Sequence, residues 1–162
     1  MRCIALLAST TALLLSAPNV SAQAKANFAG TWTMVPDPNA PAPTGRGGFG
    51  GLGQSVTIAQ DATTLTITRT TQNGEIKSVY NLDGSDSKNT ITMGGNSIDQ
   101  MSKASWEGNS LVINTTTNFN GNERKSTMNL SLDASSNLVV KSTSPGRGGG
   151  EPVTTTTTYK KG

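Results

Sequence analysis

The chain of 162 residues contains no histidine, and its one cysteine is Cys3. The lack of histidine excludes a Ser-His-Asp triad, a Cys-His pair and a histidine-ligated metal. Only 14% of the residues are charged and 33% are hydrophobic, which excludes a coiled coil and a protein with several membrane spans. A net charge of +3 along the whole chain gives little support to a nucleic-acid partner. The length is that of a single domain.

Residues 1–22 have the features of a secretory signal peptide. Arg2 supplies a positive charge, an uncharged apolar run follows over residues 4–15, and small residues provide cleavage sites after Ala22 or Ala24. The run is shorter than the roughly 20 residues of a membrane-spanning helix, so an uncleaved anchor is the less favoured alternative. We expect residues 23–162 to form the mature domain.

Cysteine usage indicates the compartment of the exported chain. Cys3 precedes the apolar run, so cleavage at either site leaves a mature chain without cysteine. Export without disulfides favours a bacterial periplasm or the extracellular medium over a disulfide-built extracellular module.

Threonine dominates the mature chain, with 22 copies after Ala22. Every second residue from Thr64 to Thr70 is threonine, and this period of two is typical of a strand with two different faces. The same spacing and the turn residues between the runs predict ten strands. They cover residues 28–35, 54–60, 63–72, 75–82, 89–93, 98–106, 110–119, 123–132, 137–144 and 153–160.

Hairpin signals connect these strands in sequence. Asn73-Gly74 and Asn120-Gly121 are strong signals because a type I′ turn needs positive φ at both central positions. Residues 36–53 and 145–152 are rich in glycine and proline and are expected to be flexible loops. The pattern predicts an all-β fold, an up-and-down antiparallel β-barrel of about 8–10 strands, with a two-sheet β-sandwich as the alternative.

Residues 28–32, Phe-Ala-Gly-Thr-Trp, resemble the G-x-W opening strand of lipocalins and fatty-acid-binding proteins, and also that of small secreted bacterial proteins. The resemblance implies a barrel plugged at its base by Trp32, an apolar ligand tail inside it and a head group at its mouth. Fatty-acid-binding proteins hold the carboxylate with an Arg-x-Tyr on the closing strand; here that strand ends Thr157-Thr158-Tyr159, so only Tyr159 carries over. Fatty-acid-binding proteins also have two short helices between their first two strands, whereas residues 36–53 occupy that position in this chain and are rich in glycine and proline.

Two loops repeat the sequence Gly-Arg-Gly-Gly and place arginines at one end of the predicted meander. Connections alternate between the two ends, so Arg46 and Arg147 lie at the same mouth, together with Phe49. The alternative is that both loops are flexible and that their arginines increase solubility. Binding of single-stranded nucleic acid by these segments is not favoured at this modest charge.

Two further arginines are predicted to face the interior near that mouth. Arg69 shares the face of Leu65 and Ile67, Arg124 shares that of Met128, and Phe119 joins them. The planar fork of arginine pairs well with a carboxylate or phosphate, whereas the alternative is that both side chains extend past the rim into water. Tyr80, Trp106 and Tyr159 fall on apolar positions where core packing is expected. The candidate ligand-binding residues are Arg69, Arg124, Phe119, Arg46, Phe49, Arg147 and Tyr159.

Nothing in the chain predicts catalysis, a metal or a cofactor. The glycine pattern at residues 48–53 precedes a strand rather than a helix, so it does not predict a dinucleotide site. We expect an exported monomer, not an enzyme, that binds a small amphipathic molecule without a cofactor. The alternative is a packed barrel that grips a protein or glycan of the cell envelope, and a third possibility is a small enzyme built on carboxylate, lysine or tyrosine chemistry.

Overall fold

The computed structural model describes residues 25–37, 51–71, 74–93, 95–119, 121–146 and 150–162, with the side chains of all of these except Met93 and Phe119. Every regular element within these ranges is a β-strand. The strands are β1 (Gly30–Met34), β2 (Ser55–Gln60), β3 (Thr64–Thr71), β4 (Gly74–Asn81), β5 (Asp86–Met93), β6 (Asn96–Glu107), β7 (Ser110–Phe119), β8 (Asn122–Leu132), β9 (Leu138–Ser144) and β10 (Val153–Lys161).

The ten strands form one antiparallel sheet that curls into a nearly closed barrel. The order across the sheet is β4-β3-β2-β1-β10-β9-β8-β7-β6-β5, so each strand lies beside its neighbour in the chain, and β1 pairs with β10. Among the strands of the described residues, β4 and β5 are the consecutive pair without a backbone ladder, and they are the two edges of the sheet. The predicted up-and-down barrel is therefore confirmed, and the two-sheet sandwich is not observed.

Strand boundaries agree with the period-two pattern to within about three residues. The largest difference is at β5, which begins at Asp86 rather than at residue 89. Ser87 and Asn89 are buried on the inward face of this strand. Because polar residues occupy positions where an apolar residue is expected, the alternation there is not visible in the sequence.

The base of the barrel is filled by apolar side chains. Phe28 and Trp32 are fully buried, and the indole Nε1 of Trp32 donates a hydrogen bond of 2.8 Å to the carbonyl oxygen of Phe28. The Phe28 ring also stacks on Trp106, with 5.9 Å between ring centroids. Trp32 thus occupies the buried position that the G-x-W element predicts. The core further contains Leu52, Val56, Ile58, Leu65, Ile67, Tyr80, Leu82, Ala104, Leu111, Ile113, Leu130, Leu138, Val140 and Tyr159.

Gly30 opens β1 in a conformation that other residues rarely adopt. Its φ is +145°, and a Cβ built on it would lie 2.6 Å from Cε of Lys161 on β10. Glycine therefore allows the chain to turn from the Phe28 plug into the first strand while β10 passes close by. The glycine of the G-x-W element has a specific backbone role.

The interior changes character toward the other end of the barrel, which we call the mouth. The mouth is the end where β1–β2, β3–β4, β5–β6, β7–β8 and β9–β10 are connected. Buried polar side chains face inward in this half, and some bond to one another, as in the 2.8 Å contact between the hydroxyls of Ser102 and Thr115. The buried polar residues of the barrel are Ser78, Asn89, Ser102, Thr117 and Ser142, together with Ser87, which lies near the base end of β5.

Some expectations concern residues that the structure does not describe. The proposed leader over residues 1–22 lies outside the described residues, as do 38–50 and 147–149 within the two predicted loops. In the ranges that are described, no helix is long and apolar enough to cross a membrane.

Candidate ligand site at the barrel mouth

A small cavity lies inside the polar half of the barrel, between β3 and β4 on one side and β6, β7 and β8 on the other. Its volume is about 50 Å³. A water-sized group needs roughly 10–15 Å³ of such space, so the cavity holds about three to five of them. It is lined by Gly51, Leu52, Ile67, Arg69, Ser78, Tyr80, Gln100, Thr115, Ser126, Thr127 and Met128.

Arg69 is the charged side chain of this lining. It lies on the inward face of β3, two residues beyond Ile67, and pairs in register with Val56 of β2. The side chain is half-buried, and its Nη1 donates a hydrogen bond of 2.9 Å to the carbonyl oxygen of Gly51. Among the described residues that line the cavity there is no carboxylate. The guanidinium therefore presents a positive charge to a cavity whose described lining holds no acid to balance it.

Two buried tyrosines lie within the electrostatic reach of Arg69. Burial raises the pKa of Tyr80, while a hydrogen bond with Ser78 and the positive charge of Arg69 oppose that rise. Burial also raises the pKa of Tyr159, opposed by a backbone hydrogen bond with Leu52 and again by Arg69. Both phenols are consequently neutral at physiological pH, and they supply hydroxyl groups beside the guanidinium.

Residues 51–53 cover part of the mouth before β2 begins. Leu52 is buried in the core, and its backbone bonds to Tyr159. The carbonyl of Gly51 accepts the hydrogen bond from Arg69. This short segment fixes the guanidinium and one phenol at the same time, so it sets the geometry on the charged side of the cavity.

The wall opposite Arg69 carries hydroxyl and amide groups. Gln100, Thr115 and Ser126 line it together with one apolar side chain, Met128. The amide of Gln100 donates a long hydrogen bond of 3.3 Å to Thr117. The cavity thus joins a cation on one side to uncharged hydrogen-bonding groups on the other.

Ser142 adds an unsatisfied hydroxyl next to this wall. It is buried on β9, directly opposite Met128 in the sheet, and its Oγ has no hydrogen-bond partner among the described residues. A buried hydroxyl without a partner costs stability unless water or a ligand satisfies it. The polar interior therefore has hydrogen-bonding capacity that its own side chains do not use.

The predicted site residues fall into three groups. Arg69 lines the cavity, and Tyr159 is buried beside Leu52 and the Arg69 charge. Arg124 lies on β8 opposite the buried Thr117, but its side chain is exposed. Phe119 ends β7, and its backbone pairs with Asn122. Its side chain is outside the described part of the structure, as are Arg46, Phe49 and Arg147.

Sequence reasoning missed the polar wall and assigned Tyr80 to core packing alone. Tyr80 is in the core, and it also lines the cavity. The signal in the sequence was the position of Gln100 and Ser126 along their strands. Each lies two residues from an inward apolar residue, Ile98 or Met128, and so on the same face. A polar residue on an apolar face near a strand end indicates either a rim position or a polar cavity, and only the fold separates the two.

No acidic residue of the described chain lines the cavity. Asp61 and Asp133 are exposed in turns, and hydrogen bonds from neighbouring residues hold their pKa values below the usual range. The largest contribution comes from the backbone N–H of Thr63 for Asp61 and from the side chain of Asn137 for Asp133. Within the described ranges, no three acidic, cysteine or histidine side chains come together as a metal site.

Comparison with known proteins leaves the fold and the cavity as the basis for inference. No family model matches the chain, and no curated protein matches it at a significant level.

Proposed function

We propose that this protein is an exported, non-catalytic small-molecule binding protein that holds an anionic head group at Arg69. The observation that carries the proposal is the half-buried guanidinium of Arg69 in a cavity whose described lining residues include no carboxylate. Arginine in a low-dielectric site pairs strongly with carboxylate or phosphate through charge-assisted hydrogen bonds. The neutral phenol of Tyr80, which lines the cavity, supplies a further hydroxyl group.

The nearly closed antiparallel barrel is compatible with the lipocalin and fatty-acid-binding-protein group, and we propose that the chain is a distant variant of it. Tyr159 and Trp32 support this proposal because both are buried where the resemblance expects them. The charged partner differs, since Arg69 is on β3 and not on the closing strand. In a monomeric barrel of this kind, the ligand exchanges at the mouth.

A second function is favoured by the small size of the cavity. Pockets for drug-sized ligands are commonly about 300–1,000 Å³, against about 50 Å³ here. A packed barrel that contacts a protein or glycan of the cell envelope has no need for a large pocket. This alternative predicts that the purified protein carries no small molecule and that its partner binds the outside of the barrel or its loops.

Native mass spectrometry of the protein purified gently from its own host or from a periplasm distinguishes the two functions. The binding function predicts a reproducible added mass that is lost on denaturation. A clean mass, together with capture of one defined envelope protein or glycan, would support the alternative instead.

Substitutions of single residues test the site through the amount of added mass that each purified variant retains. Arg69→Met is expected to remove the added mass, whereas Lys77→Met changes an exposed cation on the outer face of β4 and should retain it. Arg124→Met tests the other predicted arginine. Because Arg124 is exposed, we expect this substitution to remove less of the bound ligand than Arg69→Met does, and high salt should abolish its effect. Retention of the ligand by Arg69→Met, with an unchanged fold, would contradict the assignment of the site.

A further inference from the structure

The charged cavity has a second polar wall, and this wall constrains the chemistry of the ligand beyond its head group. Gln100, Thr115 and Ser126 face the cavity across the barrel from Arg69. Each of them offers a hydrogen-bonding group to whatever lies beside the bound anion. The following argument rests on the proposed function, since it concerns the remainder of the same ligand.

The base of the barrel is filled with packed apolar side chains, which a chain running inward from the cavity would meet. Leu65, Leu111, Leu130 and Leu138 are each 0% exposed and belong to one packed cluster. Protein interiors of this kind are close-packed, so an acyl chain would have to displace core side chains. A ligand anchored at Arg69 therefore keeps its other atoms in the polar half or outside the mouth.

An apolar chain against the polar wall would be unfavourable. It would remove water from the hydroxyl of Ser126 and the amide of Gln100 without replacing their hydrogen bonds. A ligand with hydroxyl groups replaces those bonds directly. Ser142 lies one strand away, beside Met128. Its buried Oγ has no hydrogen-bond partner among the described residues, so a hydroxylated ligand would satisfy it better than an apolar one.

We propose that the ligand is a small hydroxylated anion, in which a carboxylate or phosphate binds Arg69 and adjacent hydroxyl groups bond to Gln100, Thr115 and Ser126. A sugar acid and a sugar phosphate share this chemistry. The cavity of about 50 Å³ encloses the anionic group and its nearest neighbours, while the rest of such a molecule lies at the mouth.

Isothermal titration of the purified protein with matched probes tests this class. Gluconate and hexanoate each carry one carboxylate on a six-carbon chain, and they differ in their hydroxyl groups. Glucose 6-phosphate and inorganic phosphate form the corresponding pair for a phosphate head group. We expect the hydroxylated member of at least one pair to bind about tenfold or more tightly than its partner, since each added hydrogen bond contributes about three- to tenfold.

Variants of the polar wall identify where the difference arises. Ser126→Ala and the near-isosteric Thr115→Val should each reduce affinity for the hydroxylated probe by about three- to tenfold and leave the affinity for its partner unchanged. Ser105→Ala is the control, because Ser105 is an exposed serine on the outer face of β6. Circular dichroism and the melting temperature verify that each variant is folded.

The outcomes separate this inference from the proposed function. Arg69-dependent binding of hexanoate that equals or exceeds that of gluconate would overturn the hydroxylated class and leave the anion-binding function standing. Binding of none of the four probes, together with a clean native mass, would overturn both. Selectivity for the hydroxylated probe that survives Ser126→Ala and Thr115→Val would overturn the assignment to this wall.

Discussion

Between β4 and β5, where the barrel has no backbone ladder, the side chain of Asn89 bonds to both backbone groups of Val79. The amide N–H of Val79 donates to Oδ1 of Asn89 at 2.7 Å, and Nδ2 of Asn89 donates to the carbonyl oxygen of Val79 at 2.9 Å. Ser87 plays the same role for one backbone group: the amide N–H of Asn81 donates to the Oγ of Ser87 at 2.8 Å. Inward polar residues of β5 thus satisfy the exposed edge of β4.

Replacement of Asn89 by alanine is expected to destabilise the barrel by about 1–3 kcal/mol, because both backbone groups of Val79 lose their partners. Urea denaturation at neutral pH measures the change, and hydrogen exchange should accelerate at the Val79 amide. Asn118→Ala is the matched control, since Asn118 is exposed on β7 and its backbone pairs with Glu123 of β8, and its effect should stay within about 0.5 kcal/mol. Equal effects of the two substitutions would show that the gap does not depend on Asn89.

The period-two threonine pattern and the Asn-Gly turns predicted ten strands in the observed order because both signals are local. The gap between β4 and β5 is not local. It depends on which edges remain after β1 pairs with β10, and no spacing in the sequence records that pairing. Ser87 and Asn89, which bridge the gap, also conceal the start of β5 because they are polar on an inward face.

Gly30→Ala is expected to destabilise the protein by about 1–3 kcal/mol, since its φ of +145° is strained for any residue with a Cβ. The added Cβ would also meet Cε of Lys161 at 2.6 Å. Chemical denaturation of Gly30→Ala, Lys161→Ala and the double variant separates the two causes. Lys161→Ala should relieve only the steric contact with the added Cβ and not the backbone strain. The double variant should therefore remain less stable than Lys161→Ala alone. Full recovery would indicate a steric origin without backbone strain.

Acid should weaken the β2–β3 turn through Asp61. The backbone N–H groups of Thr63 and Thr64 donate to its Oδ1, both at 2.7 Å, and hold the pKa of this carboxyl well below its usual range. Because the pKa is lower in the folded state, the stabilisation is present above about pH 4, the unfolded value, and is lost as pH falls further.

Urea denaturation between pH 7 and pH 2 measures this effect of Asp61. Asp61→Asn should be less stable than the parent at pH 7, with a difference that shrinks as pH falls. Thr64→Val keeps the carboxylate and removes the hydroxyl that donates to Oδ2 at 2.8 Å, so its pH dependence should be intermediate. A difference between parent and Asp61→Asn that is constant with pH would contradict the role of the ionised carboxylate.

Arg69 and Arg124 have the same sequence signature, an inward phase beside a hairpin turn, but the structure separates them. The carbonyl oxygen of Gly51 accepts a hydrogen bond from the Arg69 guanidinium, whereas the side chain of Arg124 is exposed. The period of a strand fixes the face on which a residue lies. It does not fix what covers that face, because coverage comes from a segment distant in the sequence.

Tyrosine ionisation reports on Arg69 without any ligand. Tyr80 and Tyr159 are the two tyrosines of the sequence, and burial raises the pKa of both while the Arg69 charge opposes the rise. In an absorbance titration near 295 nm, both should ionise above pH 10 in the folded protein and near pH 10 in urea. Arg69→Met should move the folded titration to still higher pH, because the cation that favours phenolate is removed. Lys77→Met, on the outer face, should leave it unchanged, and a shift of equal size in both variants would place Arg69 away from the phenols.

Since the raised pKa belongs to the folded state, stability should fall as pH rises above about 10, and it should fall more steeply in Arg69→Met.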